Sequence, residues 1–406
     1  MTSFPVTTRP VAALLSVTQK EPTAVRVRFC DRIYTCPVQC VVVGGSLVGL
    51  TTAIALSGLG VGVTVLEQSP SRPVDGGGGL GVDVALLQQV TGIPAEPPVF
   101  HGSDRDTTAW HLLQGWLEEH AVRRPGVTMR RGTQVTAVQP GSSQQRANVL
   151  AADGSEYGAD LVVGADGARS TVRAAVDPRS PDARYAGVLL WRSLVGEQAM
   201  PRGVPLPGAD EPSREIYAGP YRLVTYLVPG PAGETAVGHR RLNMVWYDPQ
   251  QRDLLRDRGL LDGETIHGSL APGALPAPVR ERLAEFAAAN WPSPWREVLT
   301  LALHDGIVFG TPIVHYKPTR LVRGRTAVAG DAAHAASPMV GGGFRQGLYD
   351  VSALAQATTG LAAPGEVPGA LGRYEQLRLS AAAQHVTVSE RATAAYLAHA
   401  GAATGP

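Results

Sequence analysis

The chain has 406 residues, with 36 Lys+Arg against 35 Asp+Glu and a net charge of +1. Both signs are mixed along its length, which excludes the one-signed field that nucleic acid or an anionic membrane calls for. No apolar run approaches the ~18 residues of a transmembrane helix. The length suits a substantial core in one or two closely packed domains. Its 47 Gly and 32 Pro punctuate turns and do not gather into low-complexity tracts. The 3 cysteines, Cys30, Cys36 and Cys40, lie at the front. Their spacing lacks the paired short gaps of a zinc site, and an odd number argues against a disulfide framework, so a reducing cytoplasm is expected.

Residues 1–37 read as an upstream extension. Its apolar run from Val11 to Val17 is too short for a secretory signal, and Ala24 to Phe29 alternates weakly, as a surface strand would. Gln39 to Val43 is continuously apolar, as a parallel strand covered on both faces should be. Gly44-Gly45-Ser46-Leu47-Val48-Gly49, a helical pattern from Leu50 to Leu59 and a second strand ending in Glu67 follow. Strand, glycine turn, helix and strand, with an acid about 20 residues past the turn, place a dinucleotide pyrophosphate on a helix N-terminus and ribose hydroxyls on the acid. Ser46 stands where the middle glycine belongs; it is small enough to admit a phosphate.

A helix is expected over Trp110 to Glu119, then a hairpin turn at Asp153-Gly154-Ser155. The strand from Leu161 ends in Asp166-Gly167, and Asp166 to Arg173 reads either as a ligand loop or as a plain turn with Ser170 capping a helix. Beyond it the chain changes character. Val188 to Val195, Arg214 to Ala218, Tyr221 to Val228 and Arg241 to Tyr247 read as strands of a mostly antiparallel sheet, with helices over Val279 to Asn290 and Pro294 to Leu303. Along Arg241 to Tyr247 one face carries Leu242, Met244 and Trp246, the other Arg241, Asn243, Val245 and Tyr247. Finally, a short strand from Thr326 to Ala329 runs into Gly330-Asp331-Ala332-Ala333-His334. Pro338, Gly341, Gly343, Gly347 and a helical segment from Tyr349 to Ala357 follow. An acid at a strand end can accept hydrogen bonds from polyol hydroxyls, and bare N–H groups at a helix start favour partial negative charge.

The three glycine-and-acid segments together resemble the class A flavoprotein aromatic hydroxylases, single-component FAD monooxygenases of the p-hydroxybenzoate hydroxylase fold. The likeness spans about residues 38 to 395. Val43 to Ser46, Tyr185-Ala186-Gly187 with Trp191-Arg192, and Arg241-Leu242-Asn243 with Trp246-Tyr247 are most similar to the dihydroxypyridine and related pyridinol hydroxylases. The resemblance implies a mixed α/β fold: a Rossmann-like FAD-binding domain (38–182 and 306–360), an inserted substrate sheet with helices (183–305) and a C-terminal helical segment (361–406). FAD is the implied cofactor, held by Gly44, Gly45, Ser46, Leu47 and Gly49 at the first turn and by Glu67, Gln68 and Val138 beyond it. Asp166 serves FAD and NAD(P)H, Asp331 the ribityl chain, and Pro338, Gly341, Gly342, Gly343 and Phe344 the flavin ring.

By the same resemblance NADPH or NADH reduces the flavin, and O2 adds to give a C4a-hydroperoxide that hydroxylates a small phenol or pyridinol. Trp191, Tyr226, Asn243 and Trp246 are expected at the substrate. Tyr217, Tyr226, His239 and His304 are candidates for a base, with Tyr217 and His304 put forward. The chain departs from its relatives in having Trp110 where many carry an arginine, Arg345 where Asn is usual, and Gly342 where Gln is frequent. A monomer or homodimer is expected. An FAD oxidoreductase that inserts no oxygen, or a non-catalytic flavin-binding protein, are the rival readings.

Overall fold

The first strand–turn–helix–strand forms as Gln39–Val43, Leu47–Ser57 and Gly62–Glu67 in the computed structural model, which describes residues 6–9, 38–72, 77–201, 204, 206 and 213–403. These strands belong to a six-stranded sheet in the order 322–323, 326–328, 161–164, 39–43, 62–67, 127–131. Every pairing is parallel except the hairpin at 322–328. Register decides what this sheet can do. Val328 lies beside Gly164, Gly164 beside Val43, and Val43 beside Leu66. Four chain segments therefore leave the sheet side by side at its carboxyl edge, where ligands of open parallel sheets bind.

The inserted sheet has eight strands, all paired antiparallel. Its central strand, Arg184–Gly196, is longer than the pattern of apolar residues suggested, because a bulge between Tyr185 and Leu189 lets it bend and keep pairing. Val6–Arg9 adds to its edge beside Ser213–Ala218. The other expectations for residues 1–37, including the Ala24 to Phe29 strand and the Val11 to Val17 run, lie outside the described residues. One face of the sheet packs on the helices Ala277–Asn290 and Trp295–His304 around Leu223, Met244 and Trp246. The other face, with Val224, Tyr226, Val245 and Tyr247, meets Tyr396 and Met339, the latter from the loop before Gly343.

The last glycine segment starts its helix earlier than expected. The helix runs Gly343–Thr358, because Gly342, at φ +76°, takes the left-handed conformation that starts it sharply. The C-terminal helix, Val367–Ala403, spans 37 residues and crosses both sheets. Its Tyr374 hydroxyl donates to the Val328 carbonyl at 2.8 Å, and its Tyr396 hydroxyl donates to the Tyr247 carbonyl at 2.9 Å.

Asp350 joins three of these elements. Its fully buried carboxylate accepts from the Gly330 N–H at 2.9 Å, from His334 Nε2 at 2.6 Å and from Arg378 Nε at 2.7 Å. Burial works against the charge, but the His334 and Arg378 cations outweigh it and bring Asp350 down to about 2. The same contact raises His334 against its own burial. Removing one member of such a buried network costs about 3–5 kcal/mol, so Asp350→Asn should lower the unfolding free energy by that amount, measured by denaturant titration. The Asp350 contribution is complete above pH 3.8, the ordinary value, and is lost as the pH falls toward about 2. An acid titration of wild type and variant by circular dichroism should show the two converging there.

Candidate active site

The first turn is built for close approach. Gly44 holds φ +102°, and a Cβ there would sit 2.4 Å from the Ala165 carbonyl oxygen. A Cβ on Gly45 would meet Met129 Cε at 2.6 Å, and one on Gly49 would lie 1.9 Å from the Gly44 oxygen. The helix that follows has no side-chain cap at Ser46 and no acid in its first turn. Its first amides thus keep their donors and the positive end of the helix dipole for an outside anion. Glu67 braces the turn: Oε2 accepts from the Gly45 N–H at 2.7 Å and Oε1 from the Ser69 N–H at 2.8 Å.

The second segment combines its two readings. Asp166 accepts from Ser170 Oγ at 2.5 Å and from the Thr171 and Val172 amides at 2.7 and 3.1 Å, while Ser170 Oγ accepts from the Arg173 N–H. Asp166 is thereby a helix cap, with burial raising its pKa against those hydrogen bonds, and it still lines the cavity described next. Arg173, buried, donates to the Ala168 oxygen at 2.6 Å and to the Ala332 oxygen at 3.2 Å, stapling the second segment to the third.

All three segments open into one elongated cavity of about 730 Å³. Glu67, Gln68 and Ser69 line one end, Asp331, Gly343 and Phe344 the other, with Gly44 to Val48 and Asp166 to Arg169 between. Asp331 is exposed to this cavity; the protein around it raises its carboxyl above the usual range, opposed by the His334 and Arg173 charges. Arg131 also lines the cavity. It pairs in register with Glu67 and is held by Glu118, with Arg131 Nη2 donating to Oε2 at 2.5 Å. Neither Arg131 nor Gln114, whose Nε2 donates to the Gly45 oxygen at 3.3 Å, stands out in the sequence. Finding them requires knowing that the strand Val127–Arg131 lies next to Gly62–Glu67. Trp110 begins its helix at the cavity wall, so on that side Arg131 and Arg169 are the cations the cavity offers among the described residues.

Some expected contacts move. Gly49 packs beneath the turn and does not line the cavity, and Pro338, Gly341 and Gly342 precede the lining residues in the same loop. Val138 lies on the edge of the core under the parallel sheet; Thr133, Gln134 and Val135 take the wall position instead. Arg345 is exposed, its guanidinium reaching back to 3.7 Å from where a Gly342 Cβ would stand.

The substrate-side expectations divide by sheet face. Tyr226 and Asn243 are cross-strand partners on the face turned to Met339. Asn243 Oδ1 accepts from the Gly79 N–H at 2.7 Å. Trp191 and Trp246 are paired on the opposite face. Trp191 donates to Asp248 at 2.9 Å, and Trp246 packs against Trp291 and Phe286, so both are core residues away from the cavity. The two residues put forward as bases are also displaced. His304 ends a surface helix with its side chain 84% exposed, beside Asp305. Tyr217 donates to Glu215 at 2.6 Å and packs against His399 near the sheet edge. His239 is exposed, and burial pushes Tyr226 up to about 12, which leaves it a donor at neutral pH.

A parallel-sheet crevice with an acid at each end, an uncapped helix start between them and an antiparallel sheet facing one end is the architecture of a flavoprotein monooxygenase. Residues 105–197 and 312–389 match the family described as FAD binding domain, and 185–307 match FAD binding domain-like. The relatives the chain resembles over most of its length are class A flavin monooxygenases. It is 28% identical to the 3-amino-4-hydroxybenzoate 2-monooxygenase of Streptomyces cremeus, over 86% of this chain and 84% of that one. It is 25% identical to the 2,6-dihydroxypyridine 3-monooxygenase of Paenarthrobacter nicotinovorans, over 78% and 82%. Among solved structures, 2,6-dihydroxypyridine-3-hydroxylase from Arthrobacter nicotinovorans superposes with a TM-score of 0.71 at 22% identity, covering 90% of this chain and 94% of that one.

Since the Gly44 carbonyl occupies the place of a Gly49 Cβ, Gly49→Ala should force the turn open at about 1–3 kcal/mol, the usual cost of overpacking. A thermal melt that leaves the midpoint unmoved would contradict this account of the turn.

Proposed function

We propose that the chain hydroxylates an electron-rich aromatic ring, a pyridinol or phenol, using FAD, NADPH or NADH, and O2. The observation that carries this reading is one cavity lined by both Glu67 and Asp331, beside a loop whose Met339 packs on the Tyr226 face of the inserted sheet. Bound FAD supplies the activation of O2 and the transfer of one oxygen atom to the ring. The chain's own residues bind, orient and exclude water. The amides from Ser46 to Val48 receive the pyrophosphate on the helix start, and Arg131 adds the cation that Trp110 does not provide. Glu67 retains lone pairs for the adenosine ribose, and Asp331 accepts from the ribityl hydroxyls. The Gly341–Phe344 backbone borders the flavin ring, and Asp166 with Arg169 flanks the entry of the nicotinamide donor.

Opposite the ring, Tyr226 and Asn243 present polar groups from an otherwise apolar wall of Val224, Val245 and Met339. Such a wall keeps water from the reacting centre, and the polar groups fix the orientation of the aromatic substrate. Among the described residues no helix is long and apolar enough to cross a membrane. We place the enzyme in the cytoplasm as a monomer or homodimer, a placement supported by the fully buried, unpaired thiol of Cys40.

A panel of phenols and pyridinols should contain rings that stimulate NAD(P)H oxidation and gain one labelled oxygen under labelled O2. Oxidation without label in any product would instead favour an oxidoreductase that inserts no oxygen. Asp331→Ala should release FAD from the purified protein. Full retention of the flavin after extended dialysis would falsify the role given to Asp331.

A further inference from the structure

Glu118 is buried on the helix Trp110–Val122, and its carboxylate collects donors from three segments of the chain. Arg131 donates from Nε to Oε1 at 3.2 Å and from Nη2 to Oε2 at 2.5 Å. Oε2 also accepts from Arg72 Nε at 3.1 Å and from Gln114 Nε2 at 3.1 Å. Burial works against the charge of Glu118, but the Arg131 and Arg72 guanidinium groups outweigh it and hold its carboxyl below the usual range. Two cations on one carboxylate leave a positive charge over, so the cluster is not neutralised by its own acid. Arg131 and Gln114 line the cavity, whereas Glu118 stands behind them. Arg72 ties the segment that follows Ser69 to the same carboxylate, so the wall beyond Glu67 is set by it as well.

Each side chain held by Glu118 keeps a polar atom in reserve. Arg131 lies on the edge strand of the parallel sheet, where a long cation ordinarily reaches for water. Its bonds to Glu118 turn it inward, to 19% exposure. Both bonds use the Nε–Nη2 side, so Nη1 has no protein partner among the described residues. Gln114 is buried, and its Nε2 is shared between Glu118 and the Gly45 carbonyl, the latter at 3.3 Å. Turning the amide over would set its oxygen against two acceptors, which fixes the orientation. Oε1 is then an acceptor buried without a partner. A spare N–H on a cation suits a phosphate oxygen, and an unmet acceptor suits a hydroxyl.

We infer that Glu118 is a positioning residue for the ADP half of the cofactor, acting by holding Arg131 toward a phosphate and Gln114 toward a ribose hydroxyl. The inference rests on the flavin hydroxylase reading and identifies what builds its phosphate site in this chain. Position agrees with the assignment. Arg131 pairs in register with Glu67, and Gln114 touches Gly45, next to a helix start with no acid in its first turn. Trp110 heads the helix that carries Glu118, so that helix contributes an anion which recruits a cation from the neighbouring strand, in place of a cation of its own.

The test uses the full chain stripped of flavin and titrated with FAD, with ADP as a competitor and with riboflavin, which lacks the phosphates and the adenosine. Binding is read from the change in flavin fluorescence, independently of turnover. Glu118→Gln should weaken FAD and ADP roughly ten- to hundredfold, the worth of a charge-assisted hydrogen bond, and leave riboflavin unchanged. Arg131→Gln should cost a similar factor, and the double variant should lose little more, because both changes remove one interaction. Glu118→Asp, which keeps the charge and shortens its reach, should lose less than Glu118→Gln. If Glu118→Gln does not fold, Glu118→Asp decides alone: weaker ADP with unchanged riboflavin supports the role, and wild-type affinity for ADP overturns it. Riboflavin weakened as much as ADP marks a general loosening of the fold and overturns the role, as do losses that add in the double variant. FAD and ADP held by Glu118→Gln as tightly as by wild type overturn it too and leave the hydroxylase reading standing. A wild-type chain that takes up neither FAD nor riboflavin overturns both.

Discussion

A carboxylate that touches no ligand organises this molecule. Asp350 lies on the helix Gly343–Thr358, yet its two oxygens hold the Gly330 turn, the His334 side chain and Arg378 of the C-terminal helix. Gly330 has φ +62° and ψ −142°, a backbone state open mainly to glycine, and its N–H is fixed by Asp350. The residue aimed into the cavity by that turn is Asp331. The acid that faces the cofactor is thus positioned by an acid that does not. Arg378 also donates to Gln346 Oε1 at 2.9 Å, which draws the C-terminal helix onto the helix Gly343–Thr358. A charge network of this kind is tolerable in the core only because each charge is opposed and hydrogen-bonded.

The parallel sheet then does the long-range work. Its strands end in register, so turns at residues 44, 165 and 329, far apart in sequence, become neighbours in space. Arg173 and Tyr374 reinforce the alignment from outside the sheet by bonding to Ala332 and Val328. Local signals for this arrangement were strong in the sequence. A continuous apolar strand, a glycine turn and an acid at the end of the next strand are each set by neighbouring residues, and those segments were legible.

What could not be read depends on contacts across the chain. Alternation along Arg241–Asp248 marks two faces, and both are fully buried, so hydrophobicity gives no hint of which one meets the cofactor domain. Trp191 and Trp246 look like substrate-stacking residues because they are aromatic and lie on the right strands. Their register puts them on the helix-covered side, where Trp291 and Phe286 complete an aromatic cluster. His304 likewise shows its exposure only once the helix Trp295–His304 has turned its apolar stripe inward. Arg131 was hidden for the same reason: its relevance comes from the strand beside it, and strand order is not a local property.

The two sides of the active centre also differ in charge. Along the cavity, Glu67, Asp166 and Asp331 carry acceptors suited to hydroxyls, while the uncapped helix amides and Arg131 carry the positive charge. Toward the sheet, Arg192 has no carboxylate partner among the described residues and lies against Gly78, where a Cβ would stand 2.3 Å from its Nη2.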